Sequence, residues 1–138
     1  MSTISISRSD ADAVIEHARK GAPDEVCGLV GVRDGRICRL TPARNASPTP
    51  RNRFEIDSRD LVQVIRDERD GLDVGFYHSH PASRAYPSAT DIHFAALWPG
   101  ALQLMVSLRN DRGGKGLPEL HAYRINGDRV EELRLIVE

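Results

Sequence analysis

Val74-Gly75-Phe76-Tyr77 is an apolar run that passes without a break into His78-Ser79-His80. Bounded by Gly71 upstream and containing two aromatics, it reads as a strand of the buried type. Side chains alternate along a strand, so His78 and His80 project to the same side at its end, close enough to share one ion. A chain with this segment needs a layered fold whose sheet is covered, with an imidazole pair left at a strand end.

The remaining segments supply the layers. Thr3-Ile4-Ser5-Ile6-Ser7 alternates as a short strand. Ser9 and Asp12 form a capping-box-like start to an amphipathic helix with Ala11, Val14, Ile15 and Ala18 inward, stopping near Gly21. Cys27–Val32 and Arg36–Leu40 flank Asp34-Gly35, a strong two-residue hairpin signal. Thr41 to Asn52 carries three prolines and reads as an extended loop. Phe54-Glu55-Ile56 alternates as a short edge strand, and Ser58 caps a second helix with Leu61, Val64 and Ile65 inward. A third helix starts at Ser88 and ends before Pro99-Gly100. Leu102–Leu108, Glu119–Ile125 and Arg129–Val137 close the sheet, with Asn126-Gly127 as another hairpin turn and Asn110–Pro118 as a glycine-rich loop. The expected class is α+β: a mixed, mostly antiparallel sheet with about three helices, in one domain over residues 1–138.

Composition excludes several function classes. At 138 residues the chain has room for one ordinary core. Nineteen basic against twenty acidic residues leave a net charge of −1, without the basic excess that nucleic acid or an anionic membrane surface would ask for. No apolar stretch approaches the roughly 18 residues of a membrane span. Met1 to Asp12 lack the basic and apolar regions of a signal peptide. Cys27 and Cys38 are too few for a disulfide scaffold and form no C-x-x-C pair, so the expectation is a cytoplasmic protein with both thiols reduced.

Asp91 follows His80 by eleven residues, in the first turn of the third helix, where the helix N-terminus favours its ionised form. Two neutral imidazoles and a carboxylate are the protein ligands of an open catalytic zinc site. Each part alone has a plainer reading: a lone histidine near a strand end is usually a solvated or core residue, and Ser88-x-x-Asp91 alone is a helix cap. His93 is turned about 200° away from Asp91 on the helix and reads as non-ligating. Cys27 and Cys38 read as small buried hydrophobes. His17 and His121 read as surface residues, and Trp98 as core.

His78-Ser79-His80-Pro81 followed by Ser88-Ala89-Thr90-Asp91 resembles the JAMM (MPN-plus) metalloprotease motif: His-x-His, seven residues, Ser, two residues, Asp. Upstream, Glu25-Val26-Cys27-Gly28 is similar to the family's Glu-x-x-Gly element, and the order of elements agrees over essentially the whole chain. The resemblance implies an MPN/JAMM-like, cytidine-deaminase-like architecture with one Zn²⁺ per chain, held by His78, His80 and Asp91. It implies Glu25 as general base toward the metal's water and then as proton donor to the leaving amine. It implies Ser88 as hydrogen-bond donor to the oxyanion. The chain resembles most the short prokaryotic members, which include peptidases that process β-grasp sulfur carriers, so the implied partner is a ubiquitin-like carrier with a Gly-Gly tail. Phe54, Glu55 and Ile56 are the expected edge for that tail, and the His80–Ser88 loop with Tyr86 the opposite wall. The alternatives are an isopeptidase releasing a ubiquitin-like modifier from lysine, a non-catalytic MPN scaffold, and a two-His, one-carboxylate iron oxygenase. A zinc deaminase would need His-x-Glu and Pro-Cys-x-x-Cys, which the sequence lacks.

Overall fold

A computed structural model describes residues 2–138. Strands β1 (Thr3–Ile6), β2 (Cys27–Arg33), β3 (Arg36–Ala43), β4 (Asp73–His80), β5 (Leu102–Ser107), β6 (Glu119–Asn126) and β7 (Arg129–Val137) alternate with helices α1 (Arg8–Gly21), α2 (Val62–Arg69) and α3 (Ala89–Ala95). The strand order is β1-β3-β2-β4-β5-β6-β7, and β1 closes the sheet into a barrel. It runs parallel to β7 over four residues and meets β3 at one pair, Ser5 with Arg36. The pairs β2–β3, β2–β4, β5–β6 and β6–β7 are antiparallel and β4–β5 is parallel, so the sheet is mixed and mostly antiparallel, as expected. Closure into a ring was not anticipated, because a four-residue strand carries no signal of which edge it will join.

Alternation along the strands divides the core between two faces. Val30, Val32, Tyr77, Leu102, Leu104 and Val106 face α1, whose Ala11, Val14 and Ala18 are buried against them. Leu29 and Phe76 face the other way, against Val64 of α2, Phe54 and Ile56. Gly28 is needed where it stands: a Cβ there would lie 2.1 Å from the Tyr77 ring.

Helix starts differ from expectation. Ser7, not Ser9, caps α1, its Oγ accepting the Asp10 N–H at 3.1 Å. Helix α2 begins at Val62 rather than after Ser58, because Asp57 folds the preceding residues into a turn. Its Oδ1 accepts the Arg59 N–H, and its carbonyl accepts from Asp60. With that later start Val64 and Asp67 are buried, and Ile65, expected inward, faces solvent. Asp34-Gly35 turns as expected, both residues at positive φ. The β6–β7 turn is one residue later than expected, at Gly127-Asp128, with Asn126 still paired to Arg129. Cys38 is exposed rather than buried, and both cysteines are free.

Candidate metal centre

Two imidazoles stand at the end of β4 because His78 and His80 share one side of that strand. Ser79, between them, joins β4 to the chain entering β2: its N–H donates to Val26 O at 3.0 Å and its Oγ accepts the Val26 N–H at 2.8 Å. The third group comes from the start of α3. Ser88 Oγ accepts the Asp91 N–H at 3.1 Å, and Asp91 Oδ2 accepts the Ser88 N–H at 2.9 Å. This reciprocal cap satisfies two backbone donors and fixes the carboxylate. The same Oδ2 lies 3.0 Å from His80 Nε2 and 3.2 Å from His78 Nε2, and the two Nε2 atoms are 3.1 Å apart. All three side chains are buried.

Glu25 arrives by strand register. Cys27 pairs with His78 across β2 and β4, and the Val26–Ser79 bond extends that pairing past the strand end. One step further sets Glu25 opposite His80 on the same face. Glu25 is 9% exposed, and its Oε1 is buried with no hydrogen-bond partner among the described residues. Burial first, and then the Asp91 charge, push its carboxyl up to about 7, with His80 acting the other way. Burial would raise Asp91 as well, but the His78 charge and hydrogen bonds from His78, His80 and the Ser88 N–H outweigh it, holding Asp91 well below the usual carboxylate range. For His80, burial lowers the pKa, but the bond to Asp91, the Arg84 carbonyl and the Asp91 and Glu25 charges together raise it.

These groups fit a bound cation. Arg84 O, 2.8 Å from His80 Nδ1, can only accept, so Nδ1 carries the hydrogen and Nε2 offers a lone pair. That lone pair points at the Asp91 carboxylate, an arrangement that is repulsive unless a proton or a metal ion lies between them. His78 has no such partner, its Nδ1 being buried and unbonded among the described residues. Its ring is held instead by stacking on Phe54 at 4.4 Å. His78, His80 and Asp91 are the group found among the described residues that could hold a metal ion.

A cleft of about 770 Å³ opens beside the cluster, lined by Glu25, His80 and Ser88 together with Arg51, Asn52 and Pro81–Ser83. Of the expected tail-binding residues, Phe54 and Ile56 are buried in the fold and meet the chain through one bridge, Asn45 with Ile56, rather than through a strand. Tyr86 does not line the cleft. Its ring packs edge-on against Tyr123 at 5.6 Å and under the Arg84 guanidinium at 4.6 Å. His17, expected at the surface, is half-buried with Nδ1 2.6 Å from the Tyr77 hydroxyl. Trp98 packs on Phe76 as expected of a core residue. Pro81–Ser83 belong to the His80–Ser88 loop expected as a wall, whereas Arg51 and Asn52 were not singled out from the sequence; they lie in a loop whose path carries no periodic signal.

A family model of prokaryotic homologues of the JAB domain matches residues 7–125. The chain belongs to this family. Desampylase of Haloferax volcanii is 37% identical over 145 residues, covering 99% of this chain and 98% of that protein. CysO-cysteine peptidase of Mycobacterium tuberculosis is 37% identical over 139 residues, covering 96% and 91%. The solution structure of a protein from Desulfitobacterium hafniense superposes with a TM-score of 0.82 at 32% identity, covering 98% of this chain and 92% of that one. This JAB-domain protein is a metallopeptidase of the short prokaryotic JAMM type, with its His-His-Asp cluster in place. Family membership removes the iron oxygenase reading, whose fold is a different one.

Ser88 caps α3 and also lines the cleft, and one substitution tests both positions at once. Its oxygen is occupied in accepting from Asp91, which leaves its O–H free to donate into the cleft. Ser88→Ala is expected to keep all three metal-ligand groups, lose roughly 10²–10³ in kcat, and cost about 1 kcal/mol of stability through the lost cap. Steady-state kinetics and a thermal melt on the same preparation check both parts.

Proposed function

We propose that the chain is a zinc-dependent cytoplasmic peptidase that hydrolyses the bond following the C-terminal Gly-Gly tail of a ubiquitin-like, β-grasp sulfur-carrier protein. The observation that carries this reading is the convergence of His78, His80 and Asp91 with a buried Glu25, whose Oε1 has no partner among the described residues, at one cleft. His78, His80 and Asp91 would hold zinc. Bound there, the ion would polarise the scissile carbonyl and make water nucleophilic near neutral pH. Glu25, buried at the edge of the cleft, accepts the proton of the attacking water and delivers it to the leaving amine. The Ser88 hydroxyl donates to the oxyanion that forms on the carbonyl. The cleft beside Glu25 takes the residues after the cut.

Gly-Gly offers no side chains, so recognition must read backbone and narrowness, best done by adding the tail as a strand. Local hydrogen bonding supports residues 54–56 as the receiving edge. Ala46 N–H donates to Glu55 O and Asp57 N–H to Arg44 O, so residues 55 and 57 address the 44–46 limb. By alternation, the backbone groups of Phe54 and Ile56 face the other way, and no chain partner meets them among the described residues. A largely apolar cleft of about 670 Å³, lined by Phe54, Ile56, Leu61, Phe94, Leu97 and Trp98 with Glu55 and Asp57 beside them, adjoins this segment.

The relatives' names bear on the leaving group: one is a desampylase and another a CysO-cysteine peptidase, at equal identity. They support a ubiquitin-like partner and leave the isopeptide reading as the second. The test is a β-grasp carrier ending in Gly-Gly plus one amino acid, set beside a Gly-Gly isopeptide to lysine and beside Gly→Ala tails. Cleavage after Gly-Gly, with at least a tenfold loss for either Gly→Ala tail, is expected. Equal cleavage of the Ala tails, or efficient cleavage of casein, would overturn the tail reading.

A further inference from the structure

Glu25 must present its carboxylate to the cleft, yet its buried Oε1 has no hydrogen-bond partner among the described residues, and Glu25 lies just ahead of β2, outside the strand. Its backbone is held by the 45–55 loop instead. The Glu25 N–H donates to Pro50 O at 2.7 Å, and Glu25 O accepts from Asn45 Nδ2 at 2.8 Å. The Asn45 amide does more than this. Its Nδ2 also donates to Arg53 O at 3.0 Å, while its Oδ1 accepts the Ser47 N–H at 3.0 Å and the Glu55 N–H at 3.1 Å. Two donor hydrogens and two acceptor lone pairs are the full capacity of a carboxamide, and all four are used.

We propose that Asn45 is a positioning residue that holds Glu25 at the cleft and couples it to the segment that receives the substrate tail. The inference rests on the functional reading above. Asn45 bridges three things at once: the Glu25 main chain, the turn at Ser47, and both ends of the Arg53–Glu55 stretch, beside the Phe54 and Ile56 backbone groups that have no hydrogen-bond partner among the described residues. Phe54 in turn stacks on His78, so the same stretch touches the metal-ligand cluster. A strand added to residues 54–56 therefore stiffens the limb from which Asn45 holds the base. Other side chains cannot do this. Aspartate keeps the two acceptor bonds but loses both donors and sets a negative charge against two carbonyl oxygens. Serine can keep the Ser47 amide in a local turn but is too short to reach Glu25 O.

The test is a double-mutant cycle between Asn45→Asp and Glu25→Gln on the zinc-loaded full chain, with a Gly-Gly carrier substrate. Asn45→Asp alone should leave zinc content unchanged and lower kcat about 10–100-fold, with a smaller change in KM. In the Glu25→Gln background the same substitution should cost less than about 3-fold, since there is no base left to misplace. Asn45→Ser serves the same cycle if the aspartate variant folds poorly, a thermal melt deciding which is used. Equal losses in both backgrounds, or a change confined to KM, would overturn the inference while leaving Glu25 as the base. Near-normal turnover by Glu25→Gln alone would instead overturn the functional reading on which it rests.

Discussion

Alanine in place of His80 is expected to empty the site of zinc and abolish cleavage, and His78→Ala and Asp91→Ala should do the same. Three protein donors leave none to spare, since an open catalytic site keeps its fourth position for water. The three differ in their side effects. His80→Ala also frees the Arg84 carbonyl. His78→Ala removes the ring on which Phe54 stacks, and Asp91→Ala breaks the reciprocal cap of α3. Asp91→Ala should therefore lose helix-cap stability that the other two variants keep. Elemental analysis together with a carrier-cleavage assay reads the outcome. Full zinc occupancy in His80→Ala would overturn the site.

Glu25→Gln should separate binding from chemistry. Glu25 is not among the cluster of potential ligands, so zinc content should be unchanged, while loss of a general base costs about 10²–10⁴ in rate. The same substitution has a second signature in the metal-free protein. The folded carboxyl titrates near 7 against an ordinary 4.5, so between those values the folded chain holds a proton that the unfolded chain has released. Stability therefore falls as pH rises through that window, and Glu25→Gln should remove that part of the slope. Denaturant midpoints at several pH values, measured with chelator present, check this without any turnover. Retained near-normal turnover would show that another group moves the proton.

How legible each part was follows from the range of the interactions that build it. Ser88 and Asp91 cap one another across three residues, so their spacing alone predicts the geometry found. His78 and His80 share a side because strand alternation is local, and Asp34-Gly35 turns because both residues tolerate positive φ. Even local signals compete, however. Ser7 and Ser9 both lie at the start of α1, and Ser7 became the cap. Asp57 pre-empted Ser58, and the helix that followed turned Ile65 to solvent.

The sequence by itself determined the donor set, the strand end and helix start that carry it, the mixed sheet, and through its motif the family. Likeness to a family element named Glu25, but only the tertiary structure decided that it faces the histidines, because that depends on the register of β2 on β4 across some fifty residues of intervening chain. It likewise decided that β1 closes the sheet, that Phe54 and Ile56 turn inward, that Tyr86 packs on Tyr123 away from the cleft, and that Asn45 holds Glu25. The physical reason is common to all of these. Caps, turns and side alternation are settled within three or four residues by hydrogen bonds and backbone sterics. Register, closure and loop path are settled by burial shared among distant segments, which no short window of sequence contains.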